Sequence, residues 1–100
     1  GFPRAFATAD RLLDDAGPVG ERASRAFVEL LATEVDTFVV TQHDPKTAHE
    51  VRDRAERVLT GDESANELAE ELVEREINPG TTADIVAAGL FVALARGLEV

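Results

Sequence analysis

Apolar residues recur three and four positions apart through most of this chain, and that spacing leaves little room for anything but helices. Phe2, Ala5, Phe6, Ala9, Leu12, Leu13 and Ala16 predict a helix over about 4–16, which Gly17-Pro18 stops. Ala23, Ala26, Phe27, Leu30 and Leu31 predict a second over about 20–34. Asp44-Pro45 is a start signal, a capping carboxylate before a proline at the first helical position. Ala48, Val51, Ala55, Val58 and Leu59 then line one face of a helix over about 45–60, ending at Gly61. Asp62 or Ser64 opens the next, where Ala65, Leu68, Ala69, Leu72, Val73 and Ile77 form a stripe that runs to Asn78-Pro79-Gly80. A threonine caps the last helix, over about 82–97, which is apolar nearly all round and is expected to have neighbours on every side.

One stretch is an exception. Asp36-Thr37-Phe38-Val39-Val40-Thr41 is short and rich in β-branched residues, but an isolated strand would have no partner in this chain. It reads as helix or irregular, with Asp36 capping a short turn that buries Phe38 and Val39. The aromatic residues are five phenylalanines, so the core is built mainly from Ala, Val and Leu, which suits closely packed helices. The expected fold is therefore all-α: residues 1–100 form a single helical domain, one bundle of five or six helices with a central apolar C-terminal helix. Ala87, Ala88, Gly89 and Ala93 on that helix would let other helices approach closely.

Charge and composition restrict function. With 20 acidic and 10 basic residues the chain carries a formal charge of −10, which repels phosphate backbones and anionic membrane surfaces. Nucleic-acid and membrane partners are disfavoured, and the apolar run from Ile85 to Leu98 is shorter than the roughly 20 residues of a bilayer span. The absence of cysteine excludes thiolate chemistry and thiolate metal sites. Lys46 is the sole lysine beside nine arginines in an acidic background, which reads as a haloarchaeal-like, halophilic style of surface or as an acidic protein from a high-GC genome. Gly1-Phe2-Pro3-Arg4 contains no initiator Met and no export signal, which makes the cytoplasm the default location.

Several residue groups invite a chemical reading and a plainer one. His43 and His49 are not spaced to share a helix face around a metal. Glu67, Glu70, Glu71 and Glu74 lie opposite an apolar stripe, with Arg75 four positions beyond Glu71, and read as a solvated face. Arg52, Arg54 and Arg57 offer positive charge for phosphate, yet Glu50 to Arg54 and Asp53 to Arg57 are ordinary helix pairs. At Asn78-Pro79-Gly80-Thr81-Thr82-Ala83-Asp84, a turn launches a helix whose free amides and dipole favour an anion. Thr81, Thr82 and the Gly80 amide would cradle a phosphate, or Gly80 serves only the turn's conformational need. Asn78 orients a ligand or caps the preceding helix, and Asp84 ligates a metal or closes a capping box with Thr81.

The segment from Asn78 to Ala87, together with the earlier Asp36-Thr37, resembles the C-terminal part of the triphosphoribosyl-dephospho-coenzyme A synthases. Members carry a Ser/Asn-Pro-Gly-Gly/Thr-Ser/Thr-Ala-Asp segment before an apolar helix, preceded by an Asp-Thr element after a leucine-rich helix. The resemblance implies an all-helical transferase that joins ATP to 3'-dephospho-coenzyme A and expels adenine, in prosthetic-group biosynthesis. It implies ATP as a substrate, Mg²⁺ with its phosphates, Asp36 and Asp84 as the catalytic carboxylates, and Thr37, Asn78, Gly80, Thr81 and Thr82 around the substrate phosphates. Asp84 is the candidate Mg²⁺ ligand. It further implies that this chain is the C-terminal portion of a longer protein, incomplete and inactive without its N-terminal part. Where members carry an Asn and a His-Arg-Gly-Gly stretch, this chain has Phe38 and Thr41-Gln42-His43-Asp44, so no role passes to His43. The alternative is a non-catalytic helical module for interaction or homo-oligomer formation, whose Pro-Gly-Thr-Thr turn is purely structural.

Overall fold

The computed structural model describes residues 2–99, apart from the side chain of Phe2, so the expectations resting on Gly1 and on the Phe2 side chain lie outside what is described. Among the described residues there are six helices and no strand: α1 Phe2–Asp14, α2 Val19–Thr33, α3 Thr37–Gln42, α4 Pro45–Leu59, α5 Ala65–Glu74 and α6 Gly80–Ala95. The fold is all-α. The ambiguous stretch is α3, capped by Asp36 in extended conformation; it buries Val39 and leaves Phe38 partly exposed. Asp44 and Ser64 cap α4 and α5 through their side chains, with Pro45 at the first turn of α4.

The chain divides into two compact units, Gly1–Phe27 with Ala83–Val100 and Val28–Thr82; α2 and α6 each continue from one unit into the other. In the first unit Ala9, Leu12, Ala26, Ala93 and Leu98 make the core, with Leu13, Val19, Leu90 and Val92 packed around it. A Cβ added at Gly89 would stand 2.6 Å from Cγ2 of Thr8 and 3.2 Å from the Ala5 carbonyl oxygen, so α1 and α6 meet at a distance that only glycine allows. The second unit is built on larger groups, with Leu31, Val39, Val51, Leu68, Leu72 and Ile77 buried. Within it α4 packs against α3 and α5.

Two expectations about helix ends and surroundings are corrected. The first concerns α5, which stops at Glu74, before Asn78-Pro79-Gly80. Glu76 takes φ 55°, its N–H donates to the Val73 carbonyl at 3.1 Å, and the Ile77 N–H donates to the Leu72 carbonyl at 2.8 Å. This is a Schellman ending closed by the buried pair Leu72 and Ile77, with a glutamate where glycine is usual. The end of α6 is the same device with glycine: Gly97 at φ 105° donates to Leu94, and Leu98 to Ala93. The second concerns α6, which does not have neighbours on every side among the described residues. Thr82, Val86, Gly89 and Ala93 form its buried line, whereas Phe91 is 74% exposed and Ala87, Ala88, Leu94 and Ala95 are exposed with it. An evenly apolar sequence carries no phase from which the covered side could be read.

Candidate functional site

The unit Val28–Thr82 contains one buried charge, and it sits where two helices begin. Asp36 is 3% exposed. Its Oδ1 accepts from the amides of Phe38 at 2.9 Å and Val39 at 3.1 Å, which starts α3. Its Oδ2 accepts from the Thr82 amide and the Thr82 hydroxyl, both at 2.7 Å, within the first turn of α6. Two positive helix ends converge on one carboxylate, and hydrogen bonds to a charged acceptor contribute roughly 1.5–3 kcal/mol each. Such a carboxylate tolerates burial because each oxygen has two donors.

This changes how the last helix starts. The helix begins at Gly80, so Thr81 and Thr82 are inside its first turn and do not cap it; the capping oxygen comes from Asp36. The Thr82 amide, expected to face an anion, is bonded to Asp36 beneath the surface. Gly80 does not occupy the left-handed region, so the turn does not require its conformational freedom. What it requires is space: a Cβ on Gly80 would lie 3.1 Å from Cδ2 of the Phe38 ring. Asn78 is exposed and is not the cap of α5, which is Arg75.

At the surface over this buried link, the Thr37 and Thr81 hydroxyls are 2.8 Å apart, and the Phe38 amide donates to Thr81 Oγ1 at 3.1 Å. Asp36, Thr37, Gly80, Thr81 and Thr82 are thus brought together, with Asn78 alongside: its side-chain nitrogen would be 3.7 Å from a Cβ on Gly80. Asp84 belongs to the other unit, exposed on α6, with no hydrogen bond or ion pair among the described residues. Phe38, expected to be buried by this turn, is instead 38% exposed, with its ring against Gly80.

Two arginines of this unit are held by glutamates. Arg54 bonds Glu63 at 3.0 Å and pairs with Glu71, not with Glu50 as helix spacing suggested. Glu50 receives both guanidinium nitrogens of Arg75, at 2.7 and 3.2 Å, a pairing that holds its carboxyl below the usual range. Arg75 also approaches Glu71 at 3.6 Å, as their spacing predicted. His43 Nε2 lies 3.2 Å from the Glu76 carbonyl oxygen at the end of α5. Among the described residues no three His, Asp or Glu side chains gather to hold a metal, and no helix is long and apolar enough to cross a membrane.

Comparison with known families decides what kind of protein this is. The family model for CitG, ATP:dephospho-CoA triphosphoribosyl transferase, matches residues 1–100. The chain belongs to the CitG family. It is thereby a member of a transferase family. No curated protein and no solved structure matches the chain.

Proposed function

We propose that this chain takes part in triphosphoribosyl transfer from ATP to 3'-dephospho-coenzyme A, as the C-terminal part of a cytoplasmic, haloarchaeal-like CitG-family enzyme. The 2'-hydroxyl oxygen of the acceptor bonds to C1' of the ATP ribose, and the C1'–N9 bond breaks. Adenine leaves with the electron pair and takes up a proton, while the hydroxyl proton passes to a base. Positive charge gathers on the ribose in the transition state, which a carboxylate stabilises.

The observation that carries this reading is the match over residues 1–100 combined with the hydroxyl pair of Thr37 and Thr81 set on a buried carboxylate. In this reading Asp36 and Thr82 are positioning residues, since their polar atoms bond one another. Thr37, Thr81, Gly80 and Asn78 meet the phosphorylated ligand; Asp84, on the other unit, is the carboxylate that the family likeness assigns to catalysis. The donor set does not suit a resident metal, because no cluster of three ligands forms among the described residues. A Mg²⁺ brought by the triphosphate would neutralise part of its charge, and Asp84 would be the residue to hold it. Arg54 and Arg75 are paired to glutamates, and in this reading the main triphosphate grip lies in another part of the family protein, so that this chain alone binds without turnover.

Isothermal titration with MgATP and with dephospho-coenzyme A tests the reading. Heat is expected with at least one, reduced in Asp84→Ala at unchanged helicity; adenine release by the isolated chain would refute its incompleteness. The acidic surface is read as an adaptation to salt, so thermal stability should rise from dilute buffer to molar KCl. A second reading, a non-catalytic module that forms a homo-oligomer, is favoured by the outward Phe91 and Leu94 on α6. No heat with either ligand, together with a dimer in sedimentation, selects it.

A further inference from the structure

Phe38 is the sole aromatic residue of the Val28–Thr82 unit, and it occupies an unusual position there. Its amide is anchored twice, to Asp36 Oδ1 at 2.9 Å and to Thr81 Oγ1 at 3.1 Å. Its ring lies against the backbone at the start of α6, where a Cβ on Gly80 would be 3.1 Å from Cδ2 and 3.3 Å from Cγ. Yet 38% of the residue remains exposed, while the next residue, Val39, is wholly buried. The ring is thus backed on one side by glycine and open on another. The residue before it, Thr37, places a hydroxyl 2.8 Å from that of Thr81.

A fixed, half-open aromatic ring beside two hydroxyls suits one ligand chemistry, a planar base joined to a sugar. Any nucleobase offers a π-face, and offset stacking on an aromatic ring needs no charge. The absence of charge matters here. A chain of net charge −10 repels the phosphates of a nucleotide, so an uncharged anchor adds affinity that surface electrostatics cannot.

We propose that the open side of the Phe38 ring stacks on the adenine of a nucleotide ligand, with the Thr37 and Thr81 hydroxyls meeting its sugar or phosphate. The assignment rests on the transferase reading, in which both substrates carry adenine, and it makes Phe38 the residue that selects a base-bearing ligand over a bare polyphosphate.

The chain has no tryptophan or tyrosine, so Phe38→Trp introduces a single fluorophore at the proposed contact. Adenosine, ATP and dephospho-coenzyme A are titrated against it in turn, with inorganic triphosphate as the probe without a base. Saturable quenching by the ligand or ligands that share this subsite, and none by triphosphate, is expected. In calorimetry, Phe38→Leu should weaken the quenching ligand by roughly tenfold or more while Phe38→Tyr retains binding, the loss matching one base–aromatic stack. Heat from wild type with unchanged affinity in Phe38→Leu and no quenching in Phe38→Trp overturns the inference and leaves the transferase reading standing. No heat from wild type with ATP or dephospho-coenzyme A overturns both.

Discussion

The two units of this protein place their polar links differently, one of them in its interior and the other at its surface. Val28–Thr82 is tied by polar links that reach across the sequence: one buried carboxylate serves two helices, and Arg54 and Arg75 join α4 to the chain around α5. Gly1–Phe27 with Ala83–Val100 keeps its ion pairs at the surface, Asp15 with Arg25 and Asp10 with Arg96, and its interior closes where Gly89 leaves room for Thr8 and where Ala9 and Ala93 are wholly buried. Polar links fix individual atoms and place the surface residues above them. Small-residue contacts fix only a separation, and the far side of α6 is left apolar and exposed. The candidate site accordingly lies on the polar unit.

The largest expected effect is at Asp36. Replacing it by alanine leaves the Val39 and Thr82 donors without their acceptor, and the Phe38 amide with Thr81 alone, and should cost about 3–5 kcal/mol in denaturant unfolding. A loss below about 1 kcal/mol would erase the contrast between the units. The counterpart in the other unit is Gly89→Ala, whose Cβ would stand 2.6 Å and 2.7 Å from Thr8 side-chain atoms. It should cost about 1–3 kcal/mol, with part of the loss restored when Thr8 is also made alanine.

These two positions also show what was legible in the sequence. Asp44-Pro45, Ser64 and Asp36 were readable as helix starts because capping is local: the acceptor sits within three residues of the amide it serves. The second duty of Asp36, toward Thr82, was not, because it joins residues 46 positions apart. Gly80 was read as a turn residue, although its reason is a phenylalanine ring brought from α3. The end of α5 was misplaced because Glu76 adopts φ 55° without the glycine that normally marks such an ending.

That glutamate supplies the next prediction. Glu76→Gly should stabilise the chain by about 0.5–1 kcal/mol, since the left-handed position strains a residue with a Cβ. Gly97→Ala, at the matching place in α6, should have the opposite sign. Smaller still is Phe91→Ser: with the ring 74% exposed, the unfolding free energy should move by less than about 0.5 kcal/mol. A larger loss would mean that the outer side of α6 is covered.

The smallest effect concerns pH. The Arg25 guanidinium, 2.7 Å from Asp15, and the Ala16 amide hold the Asp15 carboxyl at about 2, below its ordinary 3.8. A depressed folded-state value favours the native state above the ordinary value, and that contribution fades as pH falls from about 4 toward 2. Carbon-detected titration should show Arg25→Ala moving the Asp15 midpoint upward.

The central claim is that the Asp36 link positions Thr37, Phe38 and Thr81 for a nucleotide. Amide chemical shifts followed during addition of MgATP test it most directly. The earliest and largest changes should fall at Thr37, Phe38 and Thr81; changes confined to the outer side of α6, or none at all, would contradict it.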